Sequence, residues 1–336
     1  MQTKKFSSYT RILKIILLLT LVTYLIVSGK LDLQKLSFLI KKENLLTLLF
    51  IIFLILISYI SFAVRQKIFV NSLGGNLQTF FSFKIVLIAY FLNNFLIGAI
   101  GIDLVRIYYI KAHTKIRYSE LGSFILIDRL LGIGSLVFIS FLTLLVFSFH
   151  GASEYSFLVN FGLIQYLWYI ALLPAILLGL ILLLRFEKIY TLCSKIFQRL
   201  IFGKQIQNFF YGLKKLTDQW KTFFIIIGLY LIGHFSTISG ISLLALHLYG
   251  KESMVASFLL SPFIFLAGVI PVTPGNIGWT ETVADIIWSI IGVRGGATVF
   301  AIWRVIILIL SLIGGLFYVR MGKNYSEARK RQPCAE

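Results

Sequence analysis

Two short stretches set ionisable side chains beside Gly or Pro inside otherwise apolar sequence: NNFLIGAIGIDLVR, from Asn93 to Arg106, and PVTPGNIGWTETVAD, from Pro271 to Asp285. In the first, Asp103 precedes Arg106 by three residues; in the second, Glu281 precedes Asp285 by four. Those spacings place each pair on one face of a helix. A carboxylate so placed can pair with a cation or carry a proton, and a guanidinium can grip a phosphate through two parallel hydrogen bonds. Two further arginines, Arg129 and Arg304, interrupt apolar runs downstream of each stretch. Charge and unpaired backbone are tolerated at membrane depth only when buried in protein or facing a watery cavity. Such breaks therefore mark where a transporter holds its cargo.

Each of these residues also has a purely structural reading. Gly98 and Gly101 permit a tight turn, after which Asp103 is placed to cap a returning half-helix with Arg106 in its first turn. A cation beside the positive end of a helix needs an anion, which is either a lipid phosphate or Asp103 itself. Thr273 and Pro274 match an N-cap and a first helical position, with Gly275, Asn276 and Gly278 keeping the turn slim. Glu281 and Asp285 share a proton in low dielectric unless a cation intervenes, and Arg304 is the natural neutraliser; a proton relay and a structural bridge both fit. Asp128 and Arg129 are neighbours on different helix faces, so they reach separate partners, Arg129 toward the first break. Asn93, Asn94 and Trp279 are expected to line the cavity, whereas His234 reads as a hydrogen-bonded packing residue.

The elements that position these groups follow from composition. Of 336 residues, 58% are hydrophobic and 13% charged, with a mean hydropathy of +0.91. This excludes an ordinary soluble domain and defines a polytopic membrane protein. Apolar runs of about 20 residues, enough to cross ~30 Å of hydrocarbon, are expected at 11–28, 44–63, 118–148, 163–184, 222–249 and 297–319. The first is read as a span rather than a cleaved signal. The broken segments, 80–112 and 254–291, are expected to enter and leave by the same face as re-entrant hairpins pointing at each other. The order is two spans, hairpin, one span, stated twice. Three crossings per unit invert the second unit, so the expected fold is an all-α inverted repeat of residues 1–149 and 150–322, followed by a basic tail, 323–336. The binding site of such a repeat lies near the midplane.

The net charge of +19 is assigned to membrane orientation rather than to nucleic acid. Basic residues at Arg65 and Lys67, Lys111 to Arg117, Arg185 to Lys221 and Arg320 to Arg331 are expected on one side, with both termini cytoplasmic in a plasma (inner) membrane; Lys30 to Lys42 departs from this pattern. The segment 185–221 reads either as an amphipathic helix on the inner leaflet or as a basic linker. Cys193 and Cys334 suggest no disulfide or metal site, and no cofactor is expected. No catalytic motif is present, so no catalytic residue is assigned.

GAIGIDLVRIYYI (Gly98 to Ile110), LIDRLLG (Leu126 to Gly132) and PVTPGNIGWTE (Pro271 to Glu281) together resemble the flippase-like membrane domain of lysylphosphatidylglycerol synthase, over about residues 8 to 322. Family versions of the first block often read Pro-Gly-Gly-x-Gly-Asp. Gly101, Asp103 and Arg106 fit, and Ala99 and Ile102 depart. The resemblance implies a membrane lipid partner, an aminoacylated or polyprenyl-linked anionic lipid moved between leaflets. The soluble aminoacyl-transferring domain is missing, so synthesis of the aminoacyl lipid is not expected. The sequence-level expectation is a translocase in which Arg106, Arg129 and Arg304 hold a phosphate headgroup, Asn94, Gly101, Thr273, Gly275, Asn276 and Trp279 shape the site, and Asp103, Asp128, Glu281 and Asp285 serve as counter-charges or proton carriers. An intramembrane lipid-phosphate or polyprenyl-phosphate glycosyl transferase is the alternative. A homo-oligomer, or an accessory role beside a lipid-modifying enzyme, also stays open.

Overall fold

Long apolar stretches without internal Pro favour continuous helices, since in hydrocarbon a helix satisfies its own backbone. The computed structural model describes residues 44–94, 98–150, 203–270 and 272–331, with Thr23, Phe186, Glu187 and Thr191 standing alone. All regular elements among them are helices: α1 (Leu45–Ser72), α2 (Thr79–Asn93), α3 (Gly98–His113), α4 (Tyr118–His150), α5 (Gly203–Asp218), α6 (Trp220–Tyr249), α7 (Lys251–Ala267), α8 (Trp279–Ile290) and α9 (Gly296–Arg331). Four of them, α1, α4, α6 and α9, are long and apolar enough to cross a membrane. They cover four of the expected spans, α1 running on past the expected end at 63 to Ser72. The spans expected at 11–28 and 163–184 lie outside the described residues.

The two broken segments are both helix–break–helix units. α2 packs on α3 and α7 on α8. The long helices α1 and α6 pack against each other, α2 lies on α9, and α7 lies on α4. Many outward residues are large and apolar, among them Leu46 and Phe53 on α1, Ile225 and Phe235 on α6, and Leu312 and Leu316 on α9. Exposed apolar side chains all along a helix are what a hydrocarbon solvent permits.

Two apolar clusters hold the described helices together. One joins Phe69, Ile88, Ile110, Phe124, Leu213 and Phe223; the other joins Ile51, Ile241, Ala256, Trp288, Val299 and Trp303. Close approach is built in with small residues, as helices in lipid require. Gly314 of α9 meets the backbone of Leu87 on α2 so closely that a Cβ would collide with the Leu87 carbonyl.

Within the segment 185–221, the longest described part is α5. Its Leu213 and Leu216 are buried, and Gly212 lies against Ile127 of α4, so the apolar face packs on protein. The periodic positions from Ile189 to Leu200 lie outside the described residues. Lys214 is held by Glu187 at 2.6 Å and by Asp218 at 3.6 Å, and the hydrogen bond it donates to Glu187 raises its pKa.

Candidate functional site

The first break differs from the expected cap. α3 already begins at Gly98, so Gly101 sits within the helix and Asp103 and Arg106 fall in its second and third turns rather than at its positive end. A helix accepts an interior Gly at a cost of only about 1 kcal/mol, and here the helix extends through it. The anion that Arg106 requires comes from carboxylates instead of a helix-end ligand. The end of α2 is closed by Asn94, whose Nδ2 donates to the carbonyls of Tyr90 and Phe91 at 3.2 and 3.1 Å and to Ser311 Oγ at 3.2 Å.

The second break, by contrast, starts its helix late. Thr273 and Pro274 open a turn, in which Asn276 N donates to Thr273 O at 3.0 Å and Ile277 N to Pro274 O at 3.2 Å. α8 begins only at Trp279, with Gly278 at the N-cap position. The cause is a left-handed run: φ is +58° at Gly275, +55° at Asn276 and +78° at Gly278, conformations that end a right-handed helix. The Thr273 hydroxyl donates to Ile277 O at 2.7 Å.

Arg304 holds this run together. Its Nη1 donates to Gly275 O at 2.7 Å and its Nη2 to Asn276 O at 3.1 Å. Its Nε reaches Glu281 and its Nη2 also reaches Thr280. Trp279 Nε1 donates to Ala267 O at 2.9 Å across the break, and Asn276 Nδ2 donates to Gly268 O. Backbone that cannot find water is thus satisfied by side chains. The structural bridge between Arg304 and Glu281 is the arrangement observed. Asp285 lies one turn further along α8, partly buried.

The other charges converge on a separate cavity of about 410 Å³. α1, α2, α3, α4, α6, α7 and α9 all reach it; Ile102, Asp103 and Arg106 come from the first broken segment, and Phe265, Gly268 and Val269 from the second. Asp128 and Arg129 of α4 line the same space. Arg106, 2% exposed, donates through Nη1 to Asp128 Oδ2 at 2.8 Å and to Asp103 Oδ1 at 3.3 Å, and through Nε to Gln66 Oε1 at 2.8 Å. Arg129 Nε donates to Asp103 Oδ2 at 2.7 Å. Asp128 also lies 3.2 Å from Arg65 Nε and accepts from the Tyr230 hydroxyl. Adjacent Asp128 and Arg129 therefore reach separate partners, and Arg129 reaches the first broken segment.

Several groups here have no conspicuous sequence signal. Arg65 belongs to the buried network, 7% exposed, rather than to the surface charges that set orientation. Its guanidinium stacks 3.5 Å from the centroid of the Tyr230 ring. Gln66 is fixed by Ser82 at 3.0 Å, and Ser82 in turn by Ala63 O at 2.8 Å. Position alone hides Arg65: it sits three quarters of the way along an apolar span and looks like its flank. Among the sequence-level site residues, Arg106, Arg129, Asp103 and Asp128 line the cavity. Arg304, Glu281, Thr273, Gly275, Asn276, Trp279, Asn94, Gly101 and Asp285 do not.

The two breaks nevertheless touch. A Cβ on Gly275 would stand 3.3 Å from Asn93 O and 3.4 Å from Asn94 Cα. His/Cys/Asp/Glu clusters able to hold a metal ion are absent among the described residues.

An all-helical membrane protein with a charged cavity between its spans is thus defined by fold and site. The family described as the lysylphosphatidylglycerol synthase TM region matches residues 11–315, and the chain belongs to it. No match was found among curated proteins or among solved structures.

Proposed function

We propose that the chain moves a phosphate-bearing lipid between leaflets, with the headgroup held by Arg65, Arg106 and Arg129 in the cavity while the acyl chains stay in the bilayer. The carrying observation is Arg106: it is fully enclosed, yet its Nη2 meets no acceptor among the described residues. A buried guanidinium nitrogen left over after two carboxylates and an amide have been served is a donor for which an anion is the natural acceptor. Apolar Ile55, Leu229 and Val269 form other walls of the cavity and suit the start of an acyl chain.

The inverted repeat is part of this reading. Exchanging α1 with α6, α2 with α7, α3 with α8 and α4 with α9 maps the α1–α2 contact onto α6–α7, α2–α3 onto α7–α8, α3–α4 onto α8–α9, and α2–α9 onto α7–α4. That pattern supports two equivalent units. The cavity is lined by Ile55 to Arg65 of α1 and by Leu229 to Thr237 of α6, near the middle of each span, which supports a midplane site reached by two re-entrant segments. Residues near the basic flanks, such as Leu73, Ile116, Leu213, Phe223 and Met321, share one apolar cluster. One basic pole supports a cytoplasmic side that carries the C-terminus, with the N-terminus assigned there from sequence.

Translocation is favoured over group transfer because Asp103 and Asp128 each already accept from guanidinium groups, leaving neither placed as a base. Purified protein in vesicles, with a labelled phospholipid whose headgroup sidedness is scored over time, tests the reading. Wild type should equilibrate the lipid, and Arg106→Ala should slow it at least ~10-fold, the effect of one lost charge-assisted contact. Equal rates would remove the headgroup role.

A further inference from the structure

We propose that the cavity selects a monoanionic phosphodiester lipid with a hydroxyl-bearing headgroup and discriminates against a cationic, aminoacylated one. This rests on the translocase reading and narrows its substrate. Two observations carry it.

The first is charge. Three guanidiniums, Arg65, Arg106 and Arg129, face the cavity against two carboxylates, Asp103 and Asp128. Among the described residues the network is one positive charge in excess. Both carboxylates are engaged: Asp103 by Arg106 and Arg129, Asp128 by Arg65, Arg106 and Tyr230. Of the other carboxylates near the breaks, Glu281 is bound to Arg304, and neither it nor Asp285 lines the cavity. An ammonium entering this space meets no uncommitted acid among the cavity residues and a surplus of like charge, which low dielectric makes costly. One phosphodiester anion balances the excess.

The second is the neutral donor set. Tyr59 and His234 line the same cavity, and their Oη and Nε2 atoms are buried with no hydrogen-bond partner among the described residues. Tyr59 is held in place by stacking on Tyr90, centroids 4.6 Å apart, and His234 lies parallel to Tyr230 at 6.2 Å. A phenol both donates and accepts, and a neutral imidazole nitrogen does one or the other according to tautomer. Such groups complement a hydroxyl, which also does both. Buried polar atoms left unmet are expensive, so they mark a place where a ligand atom belongs. Donor-only Arg106 Nη2 takes phosphate oxygen, and the amphoteric pair takes the hydroxyls beside it.

The test uses the full chain in phosphatidylcholine vesicles holding trace acyl-labelled phosphatidylglycerol, lysyl-phosphatidylglycerol or phosphatidic acid. Phosphatidylglycerol is expected to equilibrate about 10-fold faster than the lysyl form, the effect of reversing the headgroup charge in a cavity of fixed excess. Tyr59→Phe and His234→Ala should each reduce the phosphatidylglycerol rate about 3- to 10-fold, one hydrogen bond apiece, and reduce the phosphatidic acid rate less. The thermal unfolding midpoint of each variant in detergent reports its folding. Soluble glycerophosphoglycerol should not compete; inhibition by it would mean that the site serves a free phosphodiester, overturning the lipid assignment. Lysyl-phosphatidylglycerol moving as fast as, or faster than, phosphatidylglycerol would overturn the selectivity while leaving translocation standing. Equal losses for all lipids in both variants would reduce Tyr59 and His234 to packing residues and overturn the hydroxyl subsite. If no lipid moves, the translocase reading and the selectivity fall together.

Discussion

Gly275 of the second break lies against Asn93 of the first, with only 3.3 Å between the site of a Cβ and the Asn93 carbonyl oxygen. Its φ of +58° is one that residues with a side chain seldom adopt. Both conditions act together, because the left-handed turn is what turns the Gly275 carbonyl to Arg304 at 2.7 Å. Gly275→Val should destabilise the protein by about 1–3 kcal/mol, the usual cost of forcing a bulky residue into such backbone. Thermal unfolding in detergent measures it; an unchanged midpoint would mean that the break has another conformation.

Arg304 and Arg106 should separate by phenotype. Arg304→Leu removes the donors that satisfy Gly275 and Asn276 carbonyls and strands Glu281, 3% exposed, so the loss should appear as stability, about 3–5 kcal/mol for an uncompensated buried charge. Restoring neutrality with Arg304→Leu and Glu281→Leu together should recover part of it. A double variant no more stable than the single would refute the pairing.

Asp128 holds more of the network than Asp103 does. Asp128→Asn leaves Arg65 and Arg106 facing each other with less compensation and should cost more stability than Asp103→Asn, whose partner Arg129 retains 29% side-chain exposure and can reach water. Tyr230→Phe removes a hydroxyl that donates to the Asp128 carboxylate as well as to its backbone carbonyl at 2.6 Å. Its effect should be about 1 kcal/mol in wild type and smaller in the Asp128→Asn background, where the side-chain acceptor has lost its charge. Chemical denaturation of the four proteins gives the coupling, and strict additivity would contradict it.

The contact of α9 with α2 depends on Gly314. Gly314→Leu cannot fit against Leu87 and should separate the helices or prevent folding. Gly228, on α6, has open space where a Cβ would stand, so Gly228→Ala should be tolerated and even favoured by about 1 kcal/mol from helix propensity. Yield and melting temperature of the pair check this; equal loss in both would point to a general intolerance of side chains.

Hydrophobic runs made α1, α4, α6 and α9 legible, since a span's length is set by the bilayer and its composition by the need to avoid charge. The breaks were legible for the opposite reason, that Gly, Pro and charge are costly there. Their details were not. Whether a helix starts at Thr273 or Trp279 turns on three positive φ values that Arg304 stabilises from 26 residues beyond Gly278, a tertiary effect outside any local window. Arg304 itself has the same sequence setting as Arg129, yet one closes a turn and the other faces a cavity. Arg65 shows the same limit: an arginine near a span's end reads as a positive flank until Asp128 is seen beside it.

The most direct test of a headgroup site at the arginine network is native mass spectrometry of gently extracted protein. Wild type should retain a phosphodiester lipid, and Arg106→Ala should lose it while Arg304→Lys, outside the cavity, keeps it. Retention of the same lipid by Arg106→Ala, or its absence from wild type, would contradict the account.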